Sequence, residues 1–336
     1  MEKYYPDCSI FGMDKDEQYI FDGMLNNLLG SKNQKDGIGM MKPIMKEIDK
    51  NIDTIEVTFK REPLRQGTFG IVASGTYKNK PVVVKRRRPF QGQITGLTSF
   101  LIEAIIQGIL YNLTKGECPV KVPQLYKFAK CDFPVYETRE GKLEVKSKTD
   151  YVLVMEEIKG EELSRFIDDQ LQRHLATIME GLEFLQEVKF VHRDFHSGNI
   201  MIRDNTPYII DFGRACVAGI TSEGAIQDYE GYFYTNCTNK SHDVCCLILD
   251  LAVNRNKLKT IAKSICDAYK ENVTESPRPK YDKDSQYDGY HWNDIIFHWH
   301  YAAALEDVEL EEYVPEKILK KFAVSIPSCY TLILRF

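Results

Sequence analysis

The stretch VHRDFHSGNIMI, residues 191–202, sets His192, Arg193, Asp194, His196 and Asn199 between two apolar runs. Polar side chains packed this densely between strand-like segments describe a loop that carries chemistry, because a plain connection needs no such set. Asp194 and Asn199 lie five positions apart, so one loop could present a carboxylate and an amide oxygen to a shared ligand. Immediately downstream, NIMI and PYIID read as short strands around a turn at Asp204-Asn205. The second of these strands runs into Asp211 and the tripeptide DFG.

Working outward, Leu163 to Val188 has helical periodicity, weakly interrupted at Gly181, and the chain beyond Asp243 reads mostly helical apart from a polar loop at 275–289. Toward the N-terminus the signal changes. TIEVTF, IVASGTY and PVVVK are β-branched runs separated by glycines or by the turn KNKP, which predicts a three-strand antiparallel meander from Thr54. LTSFLIEAIIQGILYNL follows as a helix; KLEVK and TDYVLVMEEI then read as strands beside the polar turn TREGK. Residues 14–50 are helical in pieces, with Ile20, Phe21, Met24, Leu25 and Leu28 on one stripe and Met41, Ile44, Met45 and Ile48 on another. A strand-rich first half and a helix-rich second half predict an α+β, bilobal fold: a strand-rich N-lobe with one key helix and a mostly helical C-lobe. The expected boundaries are an N-terminal helical extension over 1–53, an N-lobe over 54–155, a hinge at 156–160 and a C-lobe over 161–336.

Composition narrows the class. A chain of 336 residues with 43% hydrophobic content can bury a large core. Its net charge of −5 argues against a dedicated nucleic-acid binder, which carries a basic surplus. The opening MEKYYPDCSI lacks the basic and apolar regions of a signal peptide, no apolar run approaches a membrane span, and the mixed charges of the first helix argue against membrane docking. Nine cysteines without a CxxC pair read as reduced thiols of an intracellular, cytoplasmic protein. The histidines of YHWNDIIFHWHYAAAL fall among Trp and Phe at helical spacing and predict a packed helix, not a metal site.

Between the first two predicted strands, LRQGTFGIV places Gly67 and Gly70 where a backbone without Cβ could approach a phosphate. Two glycines in a hairpin are ordinary by themselves. Lys85 ends the next strand, and Glu103 is the single acid among Phe100, Leu101, Ile102, Ile105 and Ile106. A carboxylate on a buried face needs a partner, and Lys85 is the candidate.

In this order, the glycine-rich hairpin, strand lysine, helix glutamate, HRDFHSGN and IIDFG resemble the protein-kinase superfamily from about Leu64 to about Asp250. The resemblance implies ATP and Mg2+ as cofactors and protein serine or threonine hydroxyls as acceptors. It implies that Leu64, Arg65, Gln66, Gly67, Thr68, Phe69, Gly70, Ile71 and Val72 cover the phosphates. Lys85 would hold the α- and β-phosphates and Glu103 would orient it. Met155 would be the gatekeeper, and Glu156 to Ile158 a hinge whose backbone binds adenine, with Val72, Val83 and Met201 around the ring. Asp194 would be the catalytic aspartate, Asn199 and Asp211 the metal ligands, and Asp243 the buried anchor of the loop. The chemistry asks for such groups in its own right: charge neutralised on the γ-phosphate, a hydroxyl held in line, and hard oxygen ligands for Mg2+.

The pattern has departures. Arg65 replaces the first loop glycine, Gln107 stands where an apolar spine residue is usual, no A-P-E follows Asp211, and His196 replaces the lysine two places after the aspartate. His196 could donate to the γ-phosphate or hold the loop by bonding a backbone carbonyl. Small-molecule kinases of the aminoglycoside and choline type often look similar there, and a nucleotide-binding pseudokinase scaffold is a third reading. Arg193 favours a protein kinase, since this arginine often receives an activation-loop phosphate. Candidate phosphate carriers are Thr221, Ser222, Tyr229, Tyr232 and Tyr234.

Overall fold

Alternation along the strands decides the first unit, which comprises Met1–Gly116, Val122–Lys159 and Ile220–Gln227. The structure, a computed structural model, describes residues 5–29, 43–48, 50–66, 70–87, 97–139, 142–166, 168–218, 220–221 and 241–252. Strands β1 (Thr58–Gln66), β2 (Gly70–Tyr77), β3 (Lys80–Arg87), β4 (Leu125–Arg139) and β5 (Lys142–Glu156) form one sheet in the order β1-β2-β3-β5-β4. Every neighbouring pair is antiparallel. Lys78 and Asn79 both take positive φ, the geometry of a tight turn whose twist matches that of the strands it joins.

One face of this sheet carries Ala73, Val82, Val84, Cys131, Phe133, Val152 and Val154 in a single apolar cluster. The register places Val72 opposite Lys85, Lys85 opposite Leu153 and Val83 opposite Met155, so these five side chains share the other face. Two expectations shift. The first strand begins at Thr58, not Thr54, because the preceding residues bond to β4: Ile55 N–H donates to the Lys130 carbonyl at 2.8 Å, and Lys130 N–H to that of Asp53 at 2.9 Å. KLEVK and TDYVLVME belong to one long strand, β5, which pairs with β4 from Leu125↔Met155 to Arg139↔Lys142.

Helix α1 (Lys15–Leu29) starts at a reciprocal cap: Asp14 Oδ1 accepts the N–H groups of Asp16 and Glu17, and Glu17 Oε2 accepts that of Asp14. Phe21, Leu25 and Leu28 are buried, whereas Ile20 points to solvent at 52% exposure, so the apolar stripe is narrower than the spacing suggests. Residues 43–48 are helical with Ile44 and Ile48 buried, while Met41 lies outside the described residues.

Helix α2 (Leu97–Thr114) is buried on every side from Phe100 to Leu110, as expected of a helix that is apolar all round. The N-terminal segment covers part of it. A Cβ added to Gly108 would stand 2.4 Å from Pro6 Cβ, and Asn112 Nδ2 donates to the Tyr5 carbonyl. Phe11 packs on Phe21 and Phe128, and Phe128 on Phe100, joining this segment, α2 and β4 through aromatic contacts.

The second unit comprises Glu117–Lys121, Gly160–Gly219 and Asp228–Phe336. Its described elements include β6 (Glu161–Glu162), helix α3 (Asp168–Leu185), β7 (Ile200–Arg203), β8 (Thr206–Ile209) and helix α4 (Ser241–Ala252). The three strands pair in the order β6-β7-β8, with Asp204 and Asn205 at positive φ in the turn of the β7–β8 hairpin. Gly181 lies inside α3 because Val120 packs against it; a Cβ there would fall 2.3 Å from Val120 Cγ1. Cys8, Cys118, Cys131 and Cys246 are buried thiols outside any disulfide, but Cys216 is disulfide-bonded, which corrects the all-reduced expectation at that residue. No described helix is long and apolar enough to cross a membrane. The polar loop at 275–289, the segment YHWNDIIFHWHYAAAL, and Ser222, Tyr229, Tyr232 and Tyr234 lie outside the described residues.

Candidate functional site

In the first unit, Lys85 Nζ lies 2.5 Å from Glu103 Oε1, and both residues are 5% exposed. Strand alternation turns Lys85 away from the apolar cluster, and Gly70 leaves room for its stem: a Cβ at 70 would meet Lys85 Cε at 2.9 Å. A Cβ there would crowd the lysine stem and, at 3.3 Å, the Arg86 carbonyl. One turn after Glu103 on α2, Gln107 Nε2 donates to the Pro123 carbonyl at 3.1 Å and approaches Met155 Sδ at 3.7 Å. The polar residue at this position is thus satisfied, and it ties the helix to the strand that ends at the expected hinge. Glu156 closes β5, its N–H bonded to the Gln124 carbonyl at 2.9 Å, and Glu157–Lys159 run on without strand pairing. Ile71, Val72, Val83, Met155, Glu156 and Ile158 are half-buried. Leu64, Arg65 and Gln66 lie in β1, with Arg65 opposite Val72 and Gln66 opposite Ile71, whereas Gly67, Thr68 and Phe69 lie outside the described residues.

In the second unit, the loop from Val191 to Asn199 is tied down by backbone bonds. Val191 exchanges bonds with Cys216 at 3.0 and 2.8 Å. Asp243, buried at 3% exposure near the start of α4, accepts the N–H of His192 at 2.6 Å and of Arg193 at 2.9 Å. Burial pushes the Asp243 carboxyl above the ordinary range, opposed by His192 and Arg193 and by these two bonds. Asp250, two turns further along α4, accepts the Ser197 N–H at 2.7 Å. His192 Nε2 reaches the Ile210 carbonyl at 3.0 Å, fastening the loop to the residue before Asp211. Arg193 and Asp211 both sit at φ 65°, a region that costs a non-glycine residue free energy and persists where surrounding bonds enforce it.

Within that frame Asn199 Nδ2 donates to the Asp194 carbonyl at 2.9 Å, and Ile210 N–H donates to the Asn199 carbonyl at 3.0 Å. The Asn199 side-chain amide thus joins Asp194, and the Asn199 backbone joins the residue before Asp211. His196 Nδ1 accepts the Gly198 N–H at 3.1 Å. The ring therefore holds the loop through a backbone N–H, not through the carbonyl expected, and in that tautomer carries its own proton on Nε2. Arg214 Nη1 lies 3.8 Å from Asp194 Oδ1, and Gly213 N–H approaches Asp211 Oδ1 at 3.4 Å. Met201 is half-buried in β7 opposite Tyr208.

The donor set suits a hard divalent ion. With its NH2 on the Asp194 carbonyl, Asn199 could turn its Oδ1 to a cation, and Asp211 is exposed. Two protein oxygens are what Mg2+ commonly takes, with water and phosphate oxygens as the remainder. Sequence reasoning missed Asp250, Arg214 and the Gln107 bonds. Asp250 had a signal: it follows Asp243 by seven residues in the apolar stretch DVCCLILD, hence on the same helical face.

The protein kinase domain family matches residues 136–236. That span holds Met155, Asp194, Asn199 and Asp211 and leaves out Lys85 and Glu103. Mitogen-activated protein kinase homolog 1 of Petunia hybrida is 27% identical over 188 residues, 55% of this chain and 44% of the relative. Mitogen-activated protein kinase 7 of Arabidopsis thaliana is 26% identical over 188 residues, 55% of this chain and 46% of the relative. Serine/threonine-protein kinase D of Synechocystis sp. is 27% identical over 162 residues, 45% of this chain and 28% of the relative. The chain spans less than half the length of these curated relatives. Together with the antiparallel sheet, its helix and the tethered loop already described, these matches support membership of the protein-kinase superfamily.

Proposed function

We propose that the chain is an ATP- and Mg2+-dependent phosphotransferase that phosphorylates serine or threonine hydroxyls of proteins, with Asp194 as proton acceptor. The observation that carries this reading is the pair of hydrogen bonds by which Asn199 joins the Asp194 carbonyl and the residue before Asp211, so that a base and two metal ligands would come from one loop system. The names of the relatives, mitogen-activated and serine/threonine-protein kinases, support a protein acceptor.

In this reading Lys85, held by Glu103, acts as a point charge toward the α- and β-phosphates. The β1–β2 hairpin from Leu64 to Val72 covers the phosphates, Val72, Val83 and Met201 contact the adenine, and the backbone of Glu156–Ile158 bonds its edge beside Met155. Asn199 and Asp211 hold Mg2+, which when bound neutralises phosphate charge. Asp194 receives the proton of the acceptor hydroxyl, a contribution of about 10²–10⁴ in rate.

The test is incubation with labelled ATP and Mg2+, comparing generic protein substrates and autophosphorylation with a panel of amino alcohols and sugars. Label is expected on protein, and lost in Asp194→Asn and Asp211→Asn. Label confined to small molecules would assign the chain to the aminoglycoside- and choline-type kinases. Nucleotide binding without any transfer would make it a scaffold.

A further inference from the structure

We propose that Arg214 supplies the positive charge that meets the transferred phosphoryl group, a catalytic role resting on the phosphotransferase reading above. Phosphoryl transfer asks chiefly for charge neutralisation at the moving group, since its transition state spreads negative charge over three equatorial oxygens. The basic side chains of the loop itself are engaged elsewhere. His192 Nε2 lies against the Ile210 carbonyl, and Arg193 is buried at 3% exposure. His196 spends Nδ1 on the Gly198 N–H.

The structure puts a guanidinium where that charge is wanted. Three residues after Asp211, the chain turns at Gly213 and brings Arg214 back onto Asp194, Nη1 to Oδ1 3.8 Å. At that distance the two groups attract as an ion pair without forming a direct hydrogen bond. The side chains are 19% and 30% exposed, and an incoming ligand can reach both. A carboxylate that takes the acceptor proton must touch the hydroxyl, and that hydroxyl stands in line with the phosphoryl group. A cation beside Asp194 is therefore beside that group too. The planar fork of arginine can bond two phosphoryl oxygens at once. In the step, the acceptor oxygen bonds to the γ-phosphorus as the bond to the β–γ bridging oxygen breaks. The electron pair leaves with ADP and the hydroxyl proton passes to Asp194.

The experiment compares wild type, Arg214→Ala, Arg214→Lys and the double variant Arg214→Ala with His196→Lys. Three quantities are read: kcat on the best protein acceptor, calorimetric Kd for ATP and ADP with Mg2+, and Tm as a folding control. Arg214→Ala is expected to lower kcat by about 10²-fold or more and to erase the preference for ATP over ADP. Arg214→Lys should stay within about fivefold of wild type, because a point charge is kept. His196→Lys, which returns a cation from the loop side, should recover about tenfold or more of the loss in the double variant. The proposal is overturned if Arg214→Ala leaves both kcat and the ATP preference within about threefold, or if neither lysine variant recovers activity, which would make Arg214 a structural brace. A wild type that transfers nothing but loses its ATP preference in Arg214→Ala upholds the charge assignment and sinks the phosphotransferase reading. An inert wild type with an unchanged preference sinks both.

Discussion

Around Glu103 the helix buries every side chain from Phe100 to Ile106, whereas around Asp194 the carboxylates of Asp194 and Asp211 stay open to solvent and the backbone beneath them is bound instead. The Lys85–Glu103 pair owes its geometry to dry packing, which holds two charges together out of water. The Asp194 loop owes its geometry to acceptors and donors. Asp243 and Asp250 take three of its N–H groups from below, and His192 joins it to Ile210. Packing suits a pair that must keep one distance. Backbone tethering suits side chains that must remain free to meet a ligand.

The comparison can be broken by substitutions that separate activity from stability. Asp194→Asn should cut kcat by about 10²–10⁴ while leaving Tm nearly unchanged, because the side chain is not what holds the loop; transfer assays beside thermal melts would read both. Glu103→Ala should instead lose both, since it leaves a buried ammonium without its carboxylate, at about 3–5 kcal/mol of stability by denaturant titration. Equal Tm values for these two variants would erase the distinction drawn here. Asp243→Asn replaces one of two acceptor oxygens by an NH2 facing a backbone N–H, and should cost about 1–3 kcal/mol with loss of transfer. The smallest effect belongs to His174 on α3, whose pKa is lowered by burial and then by Arg173. A histidine kept neutral by the fold contributes stability above its ordinary value of 6.5 that is lost as the pH falls through the lowered one. Melting curves should show a slight drop in Tm on acidification below that value, absent in His174→Phe.

Much of the strand and helix order was legible, because alternation and helical periodicity are local. The turn at Asp204-Asn205, the full length of α2 and the contact between Lys85 and Glu103 all follow from reading which residues need burial or a partner. The first strand was displaced because a β-branched run does not say which edge it joins: residues 53–55 bond to Lys130 in β4 instead of β2. His196 was readable as a loop residue but not as an acceptor at Nδ1, which depends on where Gly198 points its N–H. Arg214 went unnoticed because only the turn at Gly213 sends it back to Asp194.

The contact of Pro6 with Gly108 has a consequence for dissecting the chain. A fragment trimmed to begin at Thr54, where strand-like sequence starts, would strip Gly108 of its neighbour and Phe128 of the Phe11 ring, wetting apolar surface around the helix that carries Glu103. The smallest piece that keeps that helix dry therefore begins well before the motifs by which its family is recognised.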